Sequence, residues 1–255
     1  MTTNSGTVQR AAWATQDPLL TEYYDTEWGM PLFEDDEVFE RLSLEAFQSG
    51  LSWLTVLRKR EAFRESFAGF SIERVAAFDD ADIERLLMDA RLIRNRRKIV
   101  ATISNARAAI RLREETGAGI AEWVWRYQPE RSPAPRTEEE VPSVSPESRE
   151  LAKELKRRGF SFVGPTTVYA LMTAIGIADA HLLSSHRRGC SGLWAAGGSR
   201  TELPLPFTRT FVAGKEVVLP EPSGVAVAAE PRGAQRAADK MEPVPNRPLP
   251  MEQHA

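Results

Sequence analysis

The stretch Leu44-Glu45-Ala46-Phe47-Gln48-Ser49-Gly50-Leu51-Ser52-Trp53 sets a carboxylate, an apolar side chain behind a glycine and a large aromatic ring close together. An acid can accept hydrogen bonds or face a cation, and a ring can stack on a planar ligand. A leucine next to a glycine can project as a plug. Together they suggest a pocket. Each also has a plainer reading, because a glutamate on a helix flank is more often solvated or ion-paired and a tryptophan more often packs the core.

Two helices must meet here. Asp35 or Asp36 suits the N-cap of the first, in which Phe39, Leu42 and Ala46 recur at helical spacing. At about 100° per residue, Glu45 falls beside Val38 and Leu42 on the flank of that stripe, where it is partly desolvated. Gly50 ends the helix. Ser52 caps a second helix with Trp53, Val56, Leu57, Phe63 and Phe67 inward and Arg58, Lys59 and Arg60 outward. Upstream, residues 1–9 read as a polar, mobile leader. Residues 12–29 read as a short helix and loops carrying exposed aromatics.

Downstream, Ser71 and Asp80 are placed to cap two further short helices. Five of the eight residues from Arg91 to Lys98 are basic, the densest positive cluster in the chain. They lie in a helical hairpin and at the start of its second arm, which continues through Ile99, Ile103, Ala106 and Ile110 to Gly117. Cations are poor partners for the positive end of a helix dipole, so their concentration there suits an external anion such as a phosphate. A solvated helix face is the simpler alternative. A Trp-rich helical segment follows at Glu122–Tyr127, then a proline-rich connector. Ser145-Pro146 opens a helix closed by Gly159, and Pro165 opens another that ends before Gly176.

The expected fold is therefore all-α, with a helical domain over residues 10–188. From 189 to 255 the composition turns to Gly, Pro and Ala, with one apolar interval from Phe207 to Leu219. Such a tail is expected to be mostly disordered, since it lacks the apolar density to offset ordering entropy.

Composition narrows the function classes. A hydrophobic fraction of 42% supports a substantial core, and a net charge of −3 leaves any polyanion-binding surface to local clusters. No apolar signal region and no membrane span is visible. The single cysteine, Cys190, fits a reducing cytoplasm. His181, His186 and Cys190 are a weak set of metal ligands. No phosphate-binding loop, dinucleotide fingerprint or nucleophile elbow is present, and no cofactor is expected. An all-helical chain with a basic hairpin, a pocket-edge acid and clustered aromatics suits a protein that grips DNA and holds one extruded base.

An ordered series of blocks from about Arg10 to His181 resembles the DNA-3-methyladenine glycosylase I (Tag) group of the helix-hairpin-helix glycosylases. It includes Trp13 with Gln16-Asp17-Pro18-Leu19, Tyr23 with Asp25 and Glu27-Trp28-Gly29, Leu44-Glu45 through Trp53, Ile93-Arg94, Lys98-Ile99, and Lys156-Arg157-Arg158-Gly159-Phe160. The resemblance implies a helix-hairpin-helix glycosylase-like fold. It implies that Glu45 is the acid that bonds a flipped alkylated adenine, with Tyr23 as a second polar contact. Trp53 would stack on the base, and Trp13 and Trp28 would wall the pocket. Gly50 and Leu51 would supply a wedge into the duplex, and the hairpin with Arg94, Arg96, Arg97 and Lys98 would hold phosphates.

Three departures stand out. Tag proteins commonly carry a zinc site of two Cys and two His, and the corresponding positions here are Ala11, Tyr24, His181 and Ser185. No structural zinc is expected, with the chain ends joined by packing. Ala46-Phe47 replaces a small-then-polar pair, and Arg91 stands where a hairpin glycine is usual.

The implied activity is release of 3-methyladenine from alkylated double-stranded DNA in base excision repair, by a metal-independent, cytoplasmic monomer with no obligatory protein partner. A glycosylase redirected to another adduct, or a catalytically silent DNA-binding or damage-sensing module, are the alternatives.

Overall fold

The apolar stripe around Glu45 builds the helix on which much of the molecule packs. In the computed structural model, which describes residues 8–207, 210–212 and 215–217, α2 (Asp35–Gln48) buries Val38, Phe39, Leu42, Leu44 and Phe47. Each such side chain contributes about 2 kcal/mol by leaving water. Packed on α2 are α3 (Trp53–Leu57), α5 (Ile72–Ala76), α7 (Arg96–Thr116), α8 (Ile120–Trp125) and α10 (Pro165–Ala174). The remaining helices are α1 (Pro18–Thr26), α4 (Arg60–Ser66), α6 (Asp80–Met88) and α9 (Pro146–Arg157). The body is all-α, as expected. No described helix is long and apolar enough to cross a membrane.

Local caps set several of these boundaries. Asp17 accepts from the amide of Leu19 ahead of Pro18, Ser52 from Thr55, Asn95 from Lys98, and Ser145 from Ser148. Three caps differ from expectation, the first being Ser71, which stands at the N-cap of α5 without a side-chain cap bond. Asp79, not Asp80, forms the capping box of α6 with Asp82. Asp35 and Asp36 lie inside α2 and serve other helices instead: Asp35 accepts from the Ala121 amide of α8, and Asp36 from the Ile72 amide of α5, each at 2.9 Å. The helix expected to run on from Trp53 breaks at Arg58–Lys59 into α3 and α4.

The boundary expected at residue 189 lies further on. Leu193 and Trp194 are buried in the main core, and the Trp194 indole donates to the Gly176 carbonyl at 3.1 Å. Arg200 donates to the carbonyls of Gln128 and Pro129 at 2.7 and 3.0 Å. A few large side chains thus hold a segment whose average composition argues for disorder. The apolar interval contains a small antiparallel pair, β1 (Thr210–Val212) and β2 (Lys215–Val217). The leader through residue 7 and the rest of the tail lie outside the described residues.

Candidate active site

Five elements converge on a cavity of about 550 Å³, α10 contributing Ala170 and Thr173. Trp13 enters from a 3-10 turn (Ala12–Thr15), Tyr23 from α1, Glu45 and Gln48 from α2, and Trp53 from the first position of α3. Trp28 follows α1 and also lines it. Its place depends on a close backbone approach. Gly29, at φ +83°, donates its amide to the Ala174 carbonyl at 3.0 Å. A Cβ on Gly176 would stand 2.7 Å from the Gly29 carbonyl oxygen, so the approach requires glycine.

The walls are aromatic. Tyr23 and Trp53 lie 5.2 Å apart between ring centroids, and Trp13 meets Trp28 edge-on at 5.4 Å. Against them stands Glu45, only 6% exposed. Burial pushes its carboxyl up to about 7, while the charge of Arg41 opposes that shift. Burial and the charge of Arg41 are the influences on its carboxylate, with no hydrogen bond among the described residues, and the buried Trp53 indole N–H has no partner. Buried polar groups are normally satisfied. An aromatic chamber with an unengaged acid suits a flat, positively charged ligand with hydrogen-bond donors.

Several lining or supporting residues escaped the sequence reading: Gln48, Thr173 and, behind the wall, Arg41 and Glu27. Gln48 stands three residues after Glu45, and Arg41 four before it, so helical periodicity alone places all three on one face. Phe47 does not face the cavity. It packs against Phe63 and Phe67, at 4.5 and 6.1 Å between centroids, so the Ala46-Phe47 departure is a matter of core fit.

Gly50 takes φ +78°, and Leu51 beyond it is 42% exposed. On the hairpin between α6 and α7, Arg94 and Arg97 are exposed. Arg96 pairs with Glu84 at 2.6 Å, and Arg91 with Glu65 and Asp89. Lys98 corrects the expectation of a phosphate contact. It is buried, and its ammonium donates to the carbonyls of Phe47 at 2.7 Å and Ser49 at 2.6 Å, satisfying the free end of α2.

Beyond Trp13 and Trp28 lies a smaller cavity of about 280 Å³, also lined by Ala11, Tyr24 and His181. The Tyr24 hydroxyl bonds the Ser185 hydroxyl at 2.7 Å, and the Tyr24 and His181 rings meet edge-on at 5.2 Å. This set does not fit zinc, since it offers one imidazole and no thiolate. No His/Cys/Asp/Glu group suited to a metal occurs among the described residues. His186 bonds the Gln9 carbonyl at 2.9 Å and approaches Asp25 at 3.1 Å, so polar contacts as well as packing join the two ends of the domain.

Comparison with known proteins gives one consistent match. A model of the methyladenine glycosylase family matches residues 13–188. The DNA-3-methyladenine glycosylase 1 of Escherichia coli (strain K12) is 43% identical over 179 residues, covering 69% of this chain and 95% of that protein. A crystal structure of a 3-methyladenine DNA glycosylase I is 43% identical, with a TM-score of 0.67 over 70% of this chain and 98% of that one. A structure of the 3-methyladenine DNA glycosylase I from Staphylococcus aureus, solved to explain 3-methyladenine recognition, is 33% identical with the same TM-score of 0.67. It covers 71% of this chain and 97% of that one.

Proposed function

The chain belongs to the methyladenine glycosylase family, and on that premise we propose that it extrudes 3-methyladenine from alkylated double-stranded DNA and releases it by hydrolysis. The observation that carries this is Glu45, a buried carboxylate with no hydrogen-bond partner among the described residues, set in an aromatic chamber.

Methylation at N3 gives the purine a positive charge and makes it a good leaving group. The bond between C1′ and the purine nitrogen breaks, and its electron pair neutralises the departing base. Water adds its oxygen to C1′ and gives up a proton, leaving an abasic sugar. The step needs no cofactor and no Schiff base, and no lysine lines the cavity. Selective capture is then the larger task. An uncharged base leaves the Glu45 carboxylate desolvated, whereas a cationic base compensates it.

In this reading Glu45 and Tyr23 bond the base, Trp53 stacks on it, and Trp13 and Trp28 close the sides. Leu51, exposed next to Gly50, fills the gap left in the duplex. Arg94 and Arg97 approach phosphates, with Arg96 joining if it leaves Glu84. We take the protein to act as a monomer in the cytoplasm, consistent with its single cysteine.

The test is base release from methylated DNA. Free 3-methyladenine is expected from the native protein, and Glu45→Ala should slow its release roughly 100-fold or more. Equal release by the two would remove Glu45 from the site. DNA binding without release would instead point to a silent module.

A further inference from the structure

Behind the pocket wall lies a cation that the reaction as written does not use. Arg41, on α2 one turn before Glu45, is buried with its guanidinium among Tyr23, Trp53 and Glu27. Its shortest bond runs from Nη1 to the Tyr23 hydroxyl oxygen, at 2.7 Å. The same guanidinium carbon lies 5.2 Å from the Tyr23 ring centroid and 5.8 Å from that of Trp53.

A structural explanation would make Arg41 the counter-ion of Glu27. Glu27 is already served by Arg60, which donates to both its oxygens at 2.6 and 2.9 Å. Arg41 reaches it only at 3.5 Å. A buried guanidinium is expensive to desolvate, and an apolar side chain of similar volume is often as stable in such a place. Its bond to Tyr23 is the contact that distinguishes it.

That bond has a fixed polarity. An arginine can only donate, so the Tyr23 oxygen is the acceptor and the phenolic proton remains for another partner. No described protein group accepts it, and Tyr23 lines the cavity. We propose that Arg41 is a positioning residue of the base pocket, which by donating to Tyr23 commits the Tyr23 hydroxyl to donate towards the extruded base. Glu45, as a carboxylate, can only accept. The pocket then presents one fixed donor and one fixed acceptor, which matches a purine edge where an amino group neighbours a ring nitrogen, as in adenine. The charge of Arg41 also favours ionised Glu45, within a set that includes Glu27, Arg60 and Tyr23.

This inference rests on the glycosylase reading, and its test separates the two. Binding of free 3-methyladenine is followed through tryptophan fluorescence as a function of pH, alongside kcat and KM for release from methylated DNA. The proteins compared are the native one, Arg41→Met, Tyr23→Phe and the double variant, with thermal melts to confirm folding. Arg41→Met should weaken binding of the free base about tenfold. It should also move the acid limb of binding to higher pH, because Glu45 loses the cation that favours its charged form. With Tyr23→Phe already present, Arg41→Met should have little further effect on affinity measured above the acid limb, where Glu45 is ionised in every variant. Additive losses above the acid limb would overturn the proposal. If Arg41→Met does not fold, Arg41→Lys replaces it. That variant should keep the acid limb and lose part of the affinity, and unchanged affinity would overturn the proposal. Failure of the native protein to release 3-methyladenine would instead defeat the glycosylase reading.

Discussion

Glu45 and Asp179 are both withdrawn from water, Glu45 on the larger cavity and Asp179 bonded to His181, which lines the smaller one. Asp179 is fully engaged. It accepts from the backbone and ring nitrogens of His181 at 3.0 and 2.8 Å and from the Gly189 amide at 2.8 Å, and Arg188 lies 3.4 Å away. Burial works against its ionisation, but the hydrogen bond and charge of His181, the Gly189 amide and Arg188 outweigh it, and its pKa falls. Glu45 has only the distant help of Arg41, and its pKa rises to about 7. One carboxylate is spent on holding the domain together. The other is left unsatisfied, as expected of a group reserved for a ligand.

The largest effect should come from breaking the engaged side. Asp179→Ala leaves two His181 N–H groups and the Gly189 amide without their acceptor and removes the carboxylate beside Arg188, whose own hydrogen bonds run to backbone carbonyls, and should reduce stability by about 3 kcal/mol in denaturant titrations. A loss below about 1 kcal/mol would mean that apolar packing, not this cluster, joins the ends of the domain.

Glu45→Gln should act in the opposite direction. The folded-state pKa of Glu45 is raised, so folding favours its protonated form, and that stabilisation is present below its unfolded pKa and lost as pH rises through about 7. The variant lacks this loss. Its stability relative to the native protein should therefore grow by about 2 kcal/mol between pH 5 and pH 8. A difference independent of pH would show that Glu45 is ionised without penalty.

The smallest effect belongs to the contact at the usual zinc position. Tyr24→Phe removes one partner of Ser185, whose oxygen still accepts from the Arg187 amide at 3.1 Å, so a loss of about 1 kcal/mol is expected. A chelator should leave the melting temperature of the native protein unchanged. Stoichiometric zinc in the purified protein would reverse this part of the comparison.

What could be read from the residues was whatever neighbours in sequence decide. Ser52 and Ser145 cap their own helices, and Gly117 ends α7 at φ +71°, because the partners lie within one turn. The aromatics and Glu45 form a set because their order in the chain resembles a family, and the structure brings all of them to one cavity. Partners far along the chain were out of reach. Nothing near Asp35 or Asp36 indicates that their carboxylates serve α8 and α5. Arg41 and Lys98 were hidden by the expectation that cations face water, although each is buried against carbonyl, hydroxyl or carboxylate oxygens. Leu193 and Trp194 were hidden by averaging, since a Gly- and Ala-rich window dilutes the two large side chains that reach the core.

The ammonium of Lys98 has a mechanical consequence. It begins on the arm of the hairpin and ends on the Phe47 and Ser49 carbonyls, just before the turn that projects Leu51. If Arg94 and Arg97 take phosphates as proposed, this tie would hold the gripping end and the prying end of the surface at a constant spacing, like the jaws of a calliper. The position at which the strand is grasped would then determine which nucleotide is offered to the chamber, with no searching motion of the loop.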